Sequence, residues 1–91
     1  LRSFLNSNQN EIGDDGAIAI ANTENLPKLK DLSMFGNVIG DKGAKAFADS
    51  IQSKKYIKLD LYKNQYTREG YKALTESENL KNCEELEVYR E

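Results

Sequence analysis

Residues 29–44 read LKDLSMFGNVIGDKGA, and the chain around this stretch repeats itself with a period of 27 residues. A shift by one period places Leu32 on Leu59 and Leu86. The same shift aligns three further sets: Met34 with Leu61 and Val88, Asn10 with Asn37 and Asn64, and Gly16 with Gly43 and Gly70. A fixed period of this length predicts a stack of similar units, each too small to bury its own apolar face.

The apolar spacing changes within each unit and so predicts two elements. Leu32 and Met34 are two residues apart, which is typical of a short strand with one buried face. Apolar side chains within 44–51 recur three and four residues apart, as on one face of a helix. We therefore expect strands near 4–7, 31–35, 58–62 and 85–89, and helices over about 14–25, 41–53 and 68–80.

The predicted helices begin with residues suited to a helix N-terminus. Gly13, Gly40 and Thr67 stand at the N-cap position. Acidic residues follow in the first turn, where the helix dipole favours anions: Asp14, Asp15, Asp41 and Glu69. We interpret these aspartates as capping residues rather than as a carboxylate cluster for metal binding or acid–base chemistry.

This alternation of strand and helix resembles a leucine-rich repeat solenoid, and the resemblance covers nearly the whole chain. Segment 29–44 is similar to the longer subclass found in ribonuclease inhibitor, in intracellular innate receptors and in Ran GTPase-activating proteins. The resemblance implies an α/β fold with a parallel sheet on the concave side and helices outside. It also implies one segment, 1–91, divided into repeats at approximately 2–28, 29–55, 56–82 and a partial 83–91.

The first unit departs most from the pattern and leaves two registers open. In one register Leu5 and Ser7 take the strand positions, and Arg2 takes the leading leucine position. The alternative is shifted by one residue and uses Leu1, Phe4 and Asn6.

Composition excludes several function classes. Thirteen basic and fifteen acidic residues give a formal net charge of −2, which leaves no positive surplus for a nucleic acid backbone. No apolar run approaches the roughly 18 residues of a membrane span. Histidine is absent and Cys83 is the only cysteine, so we expect no catalytic residues, no metal site, no cofactor and no enzyme activity. A lone thiol also favours a reducing, cytoplasmic location.

The recurring polar and small residues have structural explanations. By resemblance, Asn10, Asn37 and Asn64 form a ladder that satisfies the backbone groups of neighbouring turns, since buried polar groups need partners. The repeated glycines indicate a close approach of helix to sheet, without room for a Cβ atom. Cys83 stands at an inward leucine position and is interpreted as a small buried side chain.

Strand residues that alternate with buried ones face the open side of the sheet and are the candidates for function. One column is aromatic: Phe35, Tyr62 and Tyr89. Two polar columns flank it, one of Ser33, Asp60 and Glu87 and the other of Asp31, Lys58 and Glu85. Exposed aromatic side chains beside carboxylates are typical of an interaction surface, so we expect a protein partner with a basic, partly apolar surface. The alternative is that the aromatic column only packs across the sheet.

Two other functions remain open. Similarity to Ran-activating relatives suggests a GTPase-activating role, for which Arg68 is the basic candidate at a helix start. Arg68→Ala would then abolish a measured rise in GTP hydrolysis. The chain could instead be a permanent architectural subunit of a large assembly. We see no polar cap at either end, so we expect further repeats or another subunit to cover the ends.

Overall fold

The computed structural model describes residues 3–6 and 8–88, in which strands and helices alternate. Strands β1 to β4 span Ser3–Asn6, Leu29–Ser33, Lys58–Asp60 and Glu85–Glu87. Helices α1 to α3 span Asp14–Asn22, Asp41–Asp49 and Arg68–Thr75. Short 3-10 turns at Ile51–Lys55 and Glu78–Leu80 follow α2 and α3.

The four strands form one parallel sheet in chain order, β1-β2-β3-β4. Leu5, Leu32, Leu59 and Leu86 occupy equivalent positions on successive strands. This register confirms the assignment of the first unit that uses Leu5. The alternative register with Phe4 at the inward position is wrong, because Phe4 pairs with Asp31. The predicted positions of Leu1, Arg2 and Ser7 lie outside the described residues.

The strands end earlier than predicted because the chain turns at the same point in successive units. The predicted strand 31–35 lies at Leu29–Ser33, and the predicted strand 58–62 ends at Asp60. At the turn, Gly36 has a φ of 73° and Lys63 has a φ of 59°, both in the left-handed region. Phe35 and Tyr62 therefore lie in turns at the strand ends. The first strand, predicted at 4–7, spans Ser3–Asn6, and the fourth, predicted at 85–89, spans Glu85–Glu87.

The helices are also shorter than predicted, because a buried serine stops α2 and α3. The side chain of Ser50 is 6% exposed, and its hydroxyl donates to the carbonyl of Ala21 in the preceding helix at 2.7 Å. Ser77 donates to the carbonyl of Ala48 in the same way. Each hydroxyl also accepts a backbone N–H from the 3-10 turn that follows it. The two serines thus join adjacent units and begin the short turns.

A carboxylate at the start of one helix caps the start of the next. Asp14 Oδ1 accepts hydrogen bonds from Gly40 N at 2.7 Å and Gly43 N at 3.0 Å. Asp41 repeats the arrangement one unit later, with Gly70 N at 3.0 Å and both the N–H and the hydroxyl of Thr67 at 2.7 Å. The capping interpretation is therefore correct for Asp14 and Asp41, although the helix that each caps belongs to the following unit, and it is wrong for the exposed Asp15.

The Asp41 carboxylate makes stability depend on pH. The hydroxyl and the N–H of Thr67 hold the pKa of Asp41 below its usual value of 3.8. A lowered pKa in the folded state gives stability that is fully present above the unfolded pKa and lost as pH falls through the folded one. We expect Asp41→Asn, which cannot ionise, to lose less stability than the original chain between about pH 5 and pH 2. Urea unfolding measured across this range would show parallel pH profiles if the account were wrong.

The repeated glycines of the second and third helices lack room for a side chain. A Cβ on Gly43 would lie 2.6 Å from Ile39 Cγ2, 2.9 Å from Asp14 Oδ1 and 3.0 Å from Ala17 Cβ. The predicted lack of room for a Cβ atom is confirmed, but the sheet as the crowding neighbour is wrong, because the contacts come from the preceding helix with its cap and from the segment entering the helix.

Asn37 and Asn64 form the predicted ladder between turns, whereas the prediction is wrong for Asn10, whose side chain is exposed and makes no hydrogen bond to the described residues. Asn37 is 4% exposed, and its Oδ1 accepts from Asn10 N at 3.0 Å and from Ile12 N at 2.8 Å. Its Nδ2 donates to the carbonyl of Met34 at 3.0 Å. Asn64 does the same one unit later, with Oδ1 accepting from Ile39 N and Nδ2 donating to Leu61 O.

A single apolar core lies between the sheet and the helices. Its largest fully buried apolar side chains come from all parts of the repeat: Leu32, Met34, Ile39, Phe47, Leu59, Leu61 and Leu74. Two tyrosines are also buried, Tyr56 at 2% exposure and Tyr66 at 3%. The Tyr66 hydroxyl donates to the carbonyl of Leu61 at 3.0 Å. The Tyr56 hydroxyl has no hydrogen-bond partner among the described residues, and burial raises its pKa to about 12.

These two tyrosines should respond oppositely to loss of the hydroxyl. Tyr56→Phe removes an unpaired buried polar atom and should raise the free energy of unfolding by about 1 kcal/mol. Tyr66→Phe removes one of the two hydrogen bonds to Leu61 O, which also accepts from Asn64 Nδ2, and should lower the free energy of unfolding by about 1 kcal/mol, the net value of one hydrogen bond. Urea unfolding of both variants provides the measurement, and each serves as the control for the other. Equal destabilisation by the two changes would contradict the assigned hydrogen bonds.

Candidate protein-binding surface on the sheet

The predicted side-chain columns exist in the sheet. Asp31, Lys58 and Glu85 are register partners on β2, β3 and β4. Ser33, Asp60 and Glu87 form the second column two residues further on. On β3 the half-buried Lys58 and Asp60 flank the fully buried Leu59, so they face away from the helices. These side chains therefore form the open face of the sheet, which we call the sheet face.

Phe35 and Tyr62 pack against each other at the edge of this face. Their ring centroids are 5.8 Å apart and the ring planes are tilted by 37°. Both side chains are half-buried, so each ring keeps part of its surface open. The structure thus brings together two members of the predicted aromatic column. The third, Tyr89, lies outside the described residues.

A hollow of about 330 Å³ opens beside the aromatic pair. Its lining consists of predicted surface residues: Phe35, Lys58, Asp60, Tyr62 and Glu87. Aromatic rings, carboxylates and an ammonium therefore meet in one concavity, where they can combine apolar contact with charge recognition.

The polar residues of the sheet face differ in exposure. Asp31, Lys58 and Asp60 are half-buried, whereas Glu85 and Glu87 are exposed. Ser33 shares this face, since it pairs with Asp60 and its hydroxyl lies 3.5 Å from Asp60 Oδ2, but at 6% exposure it offers little surface to a partner. Its hydroxyl donates to Asn8 Oδ1 at 2.8 Å, which draws the side chain into contact with the neighbouring unit. Four carboxylates and one ammonium remain, and the surface is locally acidic.

Hydrogen bonds at the strand ends orient the aromatic residues. Asp60 Oδ1 accepts from Tyr62 N at 3.0 Å, the pattern of an Asx turn. Ser33 stands at the equivalent place in the preceding unit. In that unit the acceptor for the aromatic residue's N–H is Asn8 instead, whose Oδ1 accepts from Phe35 N at 2.8 Å. Sequence analysis missed this role of Asn8, although the serine in place of Asp or Asn was the signal.

Arg68 lies on a different surface from the aromatic pair. It is exposed at the start of α3 and borders a hollow of about 470 Å³ with other residues of α3, among them Tyr71, Lys72 and Thr75. The side of α2 that contacts the following unit includes Asp41, Ala44 and Ala48. One period later, the equivalent positions of α3 hold Arg68, Tyr71 and Thr75. Polar side chains therefore stand on α3 where the preceding helix has small or capping residues, and coverage of the ends by further repeats or another subunit stays a prediction. The GTPase-activating role assigned to Arg68 stays a prediction.

Cys83 is less buried than predicted. It is half-buried, with its Sγ 3.4 Å from the carbonyl of Ile57, and burial raises the pKa of the thiol. A raised pKa disfavours the thiolate that nucleophilic chemistry requires. Within the described residues, no group of three or more His, Cys, Asp or Glu side chains is placed to hold a metal ion.

Comparison with known proteins identifies the repeat. The family model described as Leucine Rich repeat matches residues 5–21 and 25–48. A search of curated proteins finds no match. In the part of the chain that the structure describes, every helix is too short or too polar to span a membrane. The parallel sheet, the packed helices and the two matched segments fit an α/β leucine-rich repeat solenoid fragment, and this repeat class supports a general role in protein–protein interaction.

Proposed function

We propose that the chain binds a protein partner through the sheet face, with Phe35 and Tyr62 as the apolar anchor. The observation that carries this proposal is the packed, half-open aromatic pair beside a hollow of about 330 Å³. Aromatic side chains are enriched among the residues that dominate interface energetics, because they bury a large area at low entropic cost. Tyr89 stands one period after Tyr62 in the sequence and belongs to the proposed anchor.

The charges on the sheet face select the partner. Carboxylates of Asp31, Asp60, Glu85 and Glu87 surround the ammonium of Lys58 in adjacent register positions. Such a surface attracts a basic partner and repels an acidic one. We therefore propose a partner whose contact surface is basic and partly apolar. Ser33, which is buried, stays part of the proposed surface as a support, since its hydroxyl bonds to Asn8 Oδ1 and lies 3.5 Å from Asp60 Oδ2.

Sheet packing alone is the competing explanation for the aromatic pair. A cross-strand aromatic contact stabilises a sheet by roughly 0.2–1 kcal/mol. Packing of the two rings against each other needs no charged neighbours. It therefore does not explain why Asp60 and Glu87 line the hollow. The combination of rings and carboxylates favours binding.

The repeat spacing supports a finer classification. We propose the ribonuclease-inhibitor-like subclass, with repeats at about 2–28, 29–55, 56–82 and 83–91, acting as an intracellular scaffold or interaction module without enzyme activity. The 27-residue period carries the subclass assignment. We also propose that further repeats or another subunit cover the ends of the stack.

Recovery of the partner tests the binding surface. The double variant Phe35→Ser, Tyr62→Ser should recover at least about tenfold less partner from cell extract than the original protein does, because it lacks the apolar anchor. Ile51→Ser is the matched control, since Ile51 is 67% exposed in the turn after α2, away from the sheet face. Circular dichroism verifies that both variants fold. Unchanged recovery by the folded double variant would remove the sheet face as the binding surface.

A further inference from the structure

We propose that the hollow beside Phe35 and Tyr62 holds an arginine side chain of the partner. This inference rests on the proposed function and narrows it to one recognition element. A guanidinium is planar, carries five N–H donors and can use its face and its edge at the same time. The hollow offers partners for both: aromatic rings for the face and carboxylates for the edge.

Two carboxylates stand side by side at the floor of the hollow. Asp60 and Glu87 are register partners on β3 and β4, and neighbouring strands lie about 4.8 Å apart. The Asp60 carboxylate is held in place, since its Oδ1 accepts from Tyr62 N at 3.0 Å. Glu87 is exposed and free to adjust its side chain. One fixed and one adjustable acceptor can together receive the parallel N–H groups of a guanidinium.

The aromatic pair favours arginine over lysine. Tyr62 follows Asp60 by two residues and also lines the hollow, so a guanidinium bound to the Asp60 carboxylate lies next to its ring. Guanidinium stacks on aromatic faces and is weakly hydrated, whereas an ammonium is a compact and strongly hydrated charge. Both cations would gain from the carboxylates, but arginine gains more from the rings.

Lys58 limits where the cation can sit. Its ammonium lines the same hollow, two residues before Asp60 on β3. Repulsion between like charges keeps an incoming guanidinium at the opposite side, against Tyr62 and Glu87. The hollow is therefore a directional site with one cation position.

Short peptides test this assignment without knowledge of the partner. Three probes share one sequence, acetyl-Ala-X-Ala-amide, in which X is arginine, lysine or citrulline, the neutral analogue of arginine. Each is titrated into the isotope-labelled protein, and the backbone amide signals of Phe35 and Tyr62 are followed by NMR. We expect the arginine peptide to bind about two- to fivefold more tightly than the lysine peptide, with no saturable shift from citrulline. Equal affinity for arginine and lysine, or no localised shift with arginine, would overturn the proposal.

Two glutamates on β4 provide a matched pair of variants. Glu87→Gln removes a carboxylate that lines the hollow, whereas Glu85→Gln removes one from the same strand that does not. Both residues are exposed, so both variants should fold. We expect Glu87→Gln to weaken the arginine peptide severalfold more than Glu85→Gln does. Equal weakening would mean that the peptide senses only the overall charge of the face, and the site assignment would fail.

The peptide result is separable from the proposed function. If the aromatic double variant loses the cellular partner while the arginine peptide shows no localised shift, the sheet face binds but the arginine site is wrong. If the arginine peptide binds at Tyr62 but partner recovery is unaffected, the proposed function fails and this inference fails with it.

Discussion

Gly43→Ala should lower the free energy of unfolding by about 2–3 kcal/mol, the upper part of the roughly 1–3 kcal/mol that extra atoms cost in a packed site. The new Cβ would meet Ile39 Cγ2 at 2.6 Å, Asp14 Oδ1 at 2.9 Å and Ala17 Cβ at 3.0 Å. The Asp14 carboxylate cannot move aside without losing its bonds to Gly40 N and Gly43 N. Relief of the clash therefore requires α1 and α2 to separate.

Gly13→Ala is the matched control for this prediction. A Cβ on Gly13 would have Val38 Cγ2 as its nearest neighbour at 4.0 Å, which is ordinary contact. Its φ of −92° is open to any residue. We expect a change of less than about 1 kcal/mol, the scale of a lost N-cap preference. Thermal or urea unfolding of the two variants gives the comparison, and similar stabilities would refute the close packing of α1 against α2.

Asn37→Ala should lower the free energy of unfolding by about 2–4 kcal/mol, because each buried group left without a partner costs about 1–3 kcal/mol. The side chain accepts from Asn10 N and Ile12 N and donates to Met34 O. All three groups belong to turns of two adjacent units. Alanine would leave Asn10 N and Ile12 N without this acceptor, whereas Met34 O would keep its hydrogen bond from Asn64 Nδ2.

Asn10→Ala separates this ladder effect from the general cost of losing an asparagine. Asn10 occupies the same place one unit earlier, and its side chain is exposed. We expect a change within about 0.5 kcal/mol, as for a typical surface substitution. Urea unfolding is again the measurement. A loss at Asn10 as large as that at Asn37 would show that the ladder position itself, and not its burial, determines the effect.

Much of the fold could be predicted because the repeat supplies several independent copies of each signal. Leu32, Leu59 and Leu86 define the strand register, and Leu5 fits it once the sheet is formed. The helix starts at Gly40 and Thr67 were predicted as well, since cap residues and acidic first turns are local features.

The element ends could not be predicted, because they depend on contacts between units. Lys63 adopts the left-handed φ that Gly36 adopts one period earlier, and nothing in its residue type indicates this. Ser50 ends α2 by reaching the carbonyl of Ala21 in another unit. Asp41 caps a helix that begins 26 residues later, at Thr67. Each of these interactions exists only when the units are stacked.

The candidate site was predictable in its columns and less so in its exposure. Alternation along β3 correctly placed Lys58 and Asp60 on one face, and the 27-residue period brought Phe35 and Tyr62 together. The exposure of Ser33 was mispredicted, because its bond to Asn8 crosses between units. Binding by these residues is still a prediction.

Hydrogen–deuterium exchange of the protein with and without its recovered partner tests the central claim most directly. If the partner binds the sheet face, the amides of three segments should exchange more slowly in the complex than in the free protein. These segments are 31–36, 58–63 and 85–88, which carry the aromatic pair and the carboxylates. The exchange of α1, α2 and α3 should change little. Protection confined to the helices, with the three strand segments unchanged, would contradict binding through the sheet face.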